Sequence, residues 1–278
     1  MGSRERKTAS DPTPLRHHSV VVYGLPDDVV VERDVPVRLG DGTVLRADVY
    51  RRADSDEPCP VLVAVTPYGK DTGVDGYPVD FDALAESGNY VGALELSECT
   101  SFEAPDPAYW VPRGYVLVVV DMRGYFSSGG RPRLMLGRAA LDCAAVVEWA
   151  GGQPWSNGKV GLAGADYLAT LQWYTAALNP PYLAAIAPWE GVSDPCRDIL
   201  THGGLPETRY SEFWHGALSR GARCAVSSLT RLTPWMLRRF PAAFRHIAPA
   251  PRLEDITVPA LVGASWSDQG PRTRGSVE

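Results

Sequence analysis

The sequence predicts an α/β protein built on a mostly parallel sheet, and three features carry that reading. Two apolar runs, "CPVLVAV" (59–65) and "GYVLVVVD" (114–121), have the length and β-branched content of strands covered on both faces. After the second run, "GRAALDCAAVVEWAGG" (137–152) shows apolar residues at helical spacing and stops at glycines. Strand and helix signals then alternate through "KVGLAG" (159–164), "YLATLQWYTAAL" (167–178) and "YLAAIAP" (182–188), the order of parallel strands joined by crossover helices. Ligands of such sheets meet the carboxyl ends of the strands.

The remaining elements fit around this frame. Residues 1–27 begin with a polar stretch and are read as a flexible tail, with one domain spanning 28–278. "VPVRLGDGTVLRADVY" (35–50) alternates apolar and polar residues on both sides of Gly40-Asp41-Gly42, the signature of a β-hairpin and an antiparallel edge. Residues 70–110 hold no dependable period and read as a long, partly helical connection. On the helix at 137–152, Leu141, Ala145 and Glu148-Trp149 fall toward one side. Residues 194–247, rich in Trp and Arg, read as a helical cap insertion, and "ITVPALVGAS" (256–265) as one more strand.

Composition narrows the function classes. A net charge of −6 argues against nucleic acid or an anionic membrane surface as partner. No apolar run is long enough to span a bilayer, and the first eighteen residues lack the apolar core of a secretion signal. Five scattered cysteines, with no CxxC or Cys/His spacing suited to a metal, fit reduced thiols in a cytoplasmic protein of bacterial composition, with no metal or cofactor. Three of the 27 basic residues are lysines: Lys7, Lys70 and Lys159.

The chemistry-bearing stretch is "GLAGADYLAT" (161–170). A strand running straight into a helix, with Gly164 and Ala169 small enough for the two backbones to approach, forces residue 166 into an exposed, strained apex. There it stands beside the free amides of a helix N-terminus, which can hold an oxyanion. Enzymes with this outline carry serine at the apex; here it is Asp166.

The blocks "DGTVLRADVYRR", "TPYGK", "RGYVLVVVDMRGYFSSGG", "NGKVGLAGADYLATLQW", "AIAPWEGVSDPCRD" and "ITVPALVGASWSDQG" together resemble the cocaine-esterase-like hydrolases, relatives of X-prolyl dipeptidyl aminopeptidases. The resemblance runs from about residue 30 to the C-terminus. It implies an α/β-hydrolase fold with a helical cap and a C-terminal jelly roll, cleaving esters or amides through a Ser/Asp/His triad. Carried over by position, it implies that Asp166 occupies the nucleophile's place and Asp268 that of the triad acid. Tyr68 corresponds to an oxyanion-hole tyrosine, the Tyr167 amide to the second donor. Trp155, Trp173, Trp189 and Trp214 are expected to line the acyl pocket.

Three departures from the family pattern stand out. The nucleophile position is aspartate. The five histidines (His17, His18, His202, His215 and His246) all precede Asp268, whereas the family order is nucleophile, acid, histidine. The sequence stops ten residues past Asp268, before the family's histidine block and jelly roll. A carboxylate is a poor acyl nucleophile, and its charge competes with the incoming oxyanion for the same donors. At the helix N-terminus it gains about 0.3–1 kcal/mol, so it is also expected to relax the turn. Several readings follow: an impaired or repurposed hydrolase; an enzyme for a small ester or amide completed by a partner chain or a second copy; a dehalogenase-like Asp nucleophile; or a ligand- or partner-binding pseudoenzyme. Among other polar residues, Asp121 and Arg123 read as a loop-shaping pair. Glu190, Asp194 and Arg197 read as a network at the cap hinge.

Overall fold

The computed structural model describes residues 20–54, 57–77, 94–132, 136–202, 205–206, 221–222, 249–265 and 276. Eight strands organise it: β1 (Val20–Tyr23), β2 (Val29–Arg38), β3 (Val44–Arg52), β4 (Cys59–Thr66), β5 (Leu94–Ser97), β6 (Val116–Asp121), β7 (Ser156–Ala165) and β8 (Leu183–Trp189). Six form one sheet in the order β2-β3-β6-β4-β7-β8. β2 and β3 are the antiparallel hairpin the sequence predicts, turning through Gly42 at φ 82°, where the Leu39 amide donates to the Thr43 carbonyl at 2.8 Å. The β6-β4-β7-β8 portion is parallel.

Alternation along β6 divides the interior into two layers. Val116, Val118 and Val120 face the main core with Val61, Val63 and Val160. Leu117 and Val119 face a smaller one with Val29, Tyr50, Cys99 and Val111. All six residues of β6 are buried, as its unbroken apolar run requires. Two helices cover the first face: α1 (Leu136–Gly151) and α2 (Asp166–Ala176). On the second face lie the segment from Leu94 to Ala104, the single helical turn Pro107–Trp110 and the 3-10 turn Val111–Arg113.

Several details depart from the sequence reading. Val20–Tyr23, within the segment assigned to the tail, pairs in parallel with Leu94–Ser97, a strand inside the connection that shows no period. Leu141 is 52% exposed and Glu148 is exposed; α1 instead buries Ala139, Ala140, Cys143, Val146, Val147 and Ala150, with Ala145 and Trp149 packed at the margin of the core. Small residues win the inner face because α1 lies close to the sheet. Gly151 is confined in the same way, since a Cβ there would come within 2.2 Å of the Tyr182 ring. Residues 259–263 extend alongside β8 in parallel register and form bridges at Ala260 and Gly263 rather than a continuous strand. The Ile186 and Glu190 amides donate to Pro259 and Gly263, and the Leu261 and Gly263 amides donate back. Of the cap insertion, the described part holds a π-helical turn at Cys196–Leu200 and a two-residue ladder between Thr201–His202 and Leu205–Pro206. The Phe126 amide also donates to the Gly221 carbonyl. No helix among the described residues is long and apolar enough to cross a membrane.

One ion cluster ties the hairpin, the loop after β6 and α1 together. Arg123 does not pair with its near neighbour Asp121. Its guanidinium forks onto Asp142 of α1 at 2.6 and 2.8 Å and reaches Asp41 and Thr43 of the hairpin turn at 2.9 and 2.6 Å. Arg123 holds the Asp41 carboxyl well below the usual carboxylate range. Both Arg123 and Asp142 are buried, so removing one weakens the compensation of the other. Asp142→Asn is expected to lower unfolding stability by about 2 kcal/mol in urea titration, because the fork is lost while Asp41 still neutralises the guanidinium. A loss below about 0.5 kcal/mol, the scale of an ordinary surface change, would show that the fork does not tie these elements together.

Candidate active site

The carboxyl ends of β4, β6, β7 and β8 converge, and the backbone there is strained. Of the non-glycine residues with positive φ, Glu103 (64°), Phe126 (40°), Asp166 (46°) and Glu190 (53°) all sit on loops at this end. Asp166 forms the apex of the turn between β7 and α2 and is 8% exposed. The turn has no room to relax. A Cβ on Gly164, at φ 144°, would lie 2.7 Å from the Leu168 Cβ and 3.1 Å from the Glu103 carbonyl. A Cβ on Gly191 would lie 2.8 Å from the Ala169 Cβ and 2.9 Å from the Ala169 carbonyl carbon. The small residues at 164 and 169 are therefore required, as the sequence suggests. The expected relief of strain by aspartate is not seen: residue 166 keeps a left-handed backbone, which Asp tolerates better than most side chains.

Hydrogen bonds lock the turn from outside. The Ala165 amide donates to the Glu103 carbonyl at 2.9 Å. The Thr170 hydroxyl donates to the Asp166 carbonyl at 2.9 Å and accepts from the Val192 amide at 3.0 Å. Gln172 accepts from the Ala187 amide at 2.9 Å and donates to the Gly164 carbonyl at 3.3 Å, stitching β7 to β8 beneath the apex. None of Glu103, Thr170 or Gln172 is signalled by sequence period, since each acts through backbone atoms of a distant segment.

Tyr68 arrives from the loop after β4. Its amide donates to the Thr66 hydroxyl at 3.0 Å, and its ring meets Phe102 edge-on with centroids 5.1 Å apart. Tyr68 is buried in one small apolar cluster with Leu168, against which Tyr167 also packs, so the two tyrosines singled out in the sequence do come together at the elbow. The Tyr167 hydroxyl donates to the Met122 sulfur at 3.3 Å, and burial pushes its pKa upward, keeping it neutral.

The tryptophans divide. Trp189 pairs in register with Ala165, lies against Gly263 and is 56% exposed, which puts it on the rim of the site. Trp155 is misplaced by the sequence reading. It precedes β7, at the end of the sheet opposite the elbow, and packs edge-on against Trp149 at 6.0 Å. Trp173, two turns down α2 from the apex, is buried in the main core and is a packing residue. Trp214 and Asp268 lie outside the described residues, as do His17, His18, His215 and His246. The backbone of His202 is described, in the short ladder with Leu205. At the cap hinge, Asp194 accepts from the Cys196 and Arg197 amides at 3.0 and 3.1 Å, while Asp198 accepts from the Asp194 amide at 3.0 Å; these are turn-capping contacts. Among the described residues no group of three His, Cys, Asp or Glu side chains is arranged to hold a metal.

A mostly parallel sheet of this order, with a strained strand-turn-helix apex beside a loop bearing Tyr68, defines the chain as an α/β-hydrolase. Comparison narrows the class to a family. The model of the X-Pro dipeptidyl-peptidase (S15) family matches residues 41–230, and the chain belongs to that family. It is 34% identical to a cocaine esterase from Rhodococcus sp. over 86% of this chain and 44% of the esterase. The crystal structure of a CocE/NonD family hydrolase from Staphylococcus aureus superposes with a TM-score of 0.77 at 34% identity, covering 89% of this chain and 43% of that one. An alpha-amino acid ester hydrolase shares the fold at 18% identity, with a TM-score of 0.53 over 91% of this chain and 45% of that one. The chain thus spans less than half the length of each of these proteins.

Asp121 lies buried at the carboxyl end of β6. Burial lifts its pKa from 3.8 to about 6, against the opposing pull of the Ser127 and Lys70 amides that donate to it at 3.0 and 2.8 Å. A raised pKa means that the folded state binds the proton more tightly than the unfolded chain, so stability from this group is full below pH 3.8 and lost as pH rises through 6. Between pH 7.5 and 4.5 the wild type should therefore gain about 2 kcal/mol relative to Asp121→Asn in parallel denaturant titrations. A difference between the two proteins that stays constant with pH would refute the assignment.

Proposed function

We propose that this chain is an S15-family hydrolase scaffold whose site receives a small ester or amide but whose serine-type acyl transfer is quenched by the carboxylate at residue 166. One observation carries the reading: a buried aspartate holds the elbow apex with the backbone still in the strained geometry of a nucleophile, at φ 46°. Attack by a carboxylate on an ester carbonyl forms a tetrahedral intermediate that expels the carboxylate, the far weaker base, in preference to the alkoxide, so the addition reverts before a mixed anhydride can form. The fixed negative charge also occupies the neighbourhood of the amides that would stabilise a second, developing oxyanion. Both effects oppose turnover, and neither prevents binding.

The retained strain favours a second reading over simple decay. A carboxylate at this apex has the geometry to displace a halide from an alkyl carbon, forming an enzyme ester. The two readings separate in one set of assays. With p-nitrophenyl acetate and butyrate, the wild type is expected to match Asp166→Ala, and with a fluorophosphonate probe residue 166 is expected to stay unlabelled. Ester turnover by the wild type that vanishes in Asp166→Ala would overturn the quenched reading. Incubation with a short alkyl bromide followed by intact-mass measurement is expected to show no adduct; an added alkyl mass mapped to Asp166 would establish the second reading in its place.

A further inference from the structure

Behind the Tyr68 loop lies a buried ionic cluster that the elbow chemistry does not use. Lys70 is 0% exposed, and its ammonium pairs with Asp48 at 3.0 Å, Asp34 at 3.1 Å and Asp71 at 3.5 Å. Asp48 is equally buried and is itself held by Arg33 at 2.9 Å and by the Asp34 amide at 3.0 Å. The β2 strand breaks register between Glu32 and Val35, with Asp34 at φ 55°, to bring those two partners inward. A lysine suits this place because its compact ammonium carries three donors that can turn toward the surrounding carboxylates. The chain carries three lysines among 27 basic residues, and this one is spent on an interior loop.

The same residue is held at its backbone. The Lys70 amide donates to Asp121 at 2.8 Å, and the preceding carbonyl, Gly69, accepts from the Ser101 hydroxyl at 2.7 Å. Two residues beyond Ser101, the Glu103 carbonyl accepts the Ala165 amide of the elbow. A continuous chain of bonds thus runs from β3 through Lys70 and Ser101 to the base of the apex. Gly69, at φ 98°, leaves the loop one shape: a Cβ there would fall 2.3 Å from Thr72 and 3.0 Å from Phe126.

We infer that Lys70 is a positioning residue: its ion pair with Asp48 and its bracket to Ser101 fix the Pro67–Gly69 turn, and with it Tyr68, at a set distance from the elbow. The role assigned to Tyr68 rests on the hydrolase reading of the site, but the anchoring does not. Removing the ammonium frees the loop while the strands beside it stay closed.

Amide hydrogen exchange of the full chain reads the anchoring directly. In Lys70→Met the Tyr68 and Lys70 amides are expected to exchange about tenfold faster or more, with the Val63 and Val118 amides of β4 and β6 unchanged. Because Lys70→Met leaves buried Asp48 with Arg33 as its one remaining cationic partner among the described residues and endangers folding, Ser101→Ala supplies a milder cut, with an expected acceleration of about threefold confined to the same loop. Unchanged exchange at Tyr68 and Lys70, or equal acceleration in β4 and β6, would overturn the inference. The functional arm places Lys70→Met in an Asp166→Ser background. There the fluorophosphonate labelling rate, set by serine attack on phosphorus with loss of fluoride, should fall about tenfold while the half-saturating probe concentration stays put, and a shift in that concentration alone would overturn the positioning role. If Asp166→Ser proves inert to the probe while the exchange contrast holds, the hydrolase reading fails and the anchoring stands.

Discussion

Backbone crowding where β7 enters α2 is the constraint to which the other features of the site answer. Three segments meet there with no space for a side chain between them: the strand end at Gly164, the helix start at Ala169 and the loop at Gly191. With those contacts closed, residue 166 takes a left-handed backbone at φ 46° and remains buried, and the helix beneath must be packed on nearly every side. α2 meets that demand by burying ten of its eleven residues. The geometry is thus independent of the residue at the apex, which explains why an aspartate sits in a turn shaped for a nucleophile.

A carboxylate at that apex changes the electrostatics without changing the shape. Serine is neutral until it reacts, so the nearby amides stay free for the charge that develops. In the proposed reading, aspartate brings its charge to the same place before any substrate arrives.

Two of the described ion pairs lie in the interior. Arg123 with Asp142 and Lys70 with Asp48 each join segments far apart in sequence, and each is surrounded by apolar strands. Such pairs stabilise less than an apolar replacement could, but breaking one removes much of a buried charge's compensation, so they act as fixed points rather than as sources of stability. Their placement is informative: Arg123 fastens the hairpin to α1, while Lys70 fastens the hairpin to the loop at the mouth of the site.

By itself the sequence determined the kind of each main element, the position of the elbow and the family. β-branched runs, a Gly-Asp-Gly turn and the spacing of Gly164, Asp166 and Ala169 are local signals, and local sterics read them the same way in any context. It also held a clue against Trp155, which precedes its strand whereas sites lie where strands end. Tertiary structure alone decided the pairing of Val20–Tyr23 with Leu94–Ser97, the inner side of α1, and the burial of Lys70 and Asp48. Those outcomes depend on which distant surfaces happen to meet. A charged residue in a loop has no period to reveal its partner, and a small-residue face becomes the inner one only when a sheet lies close against it.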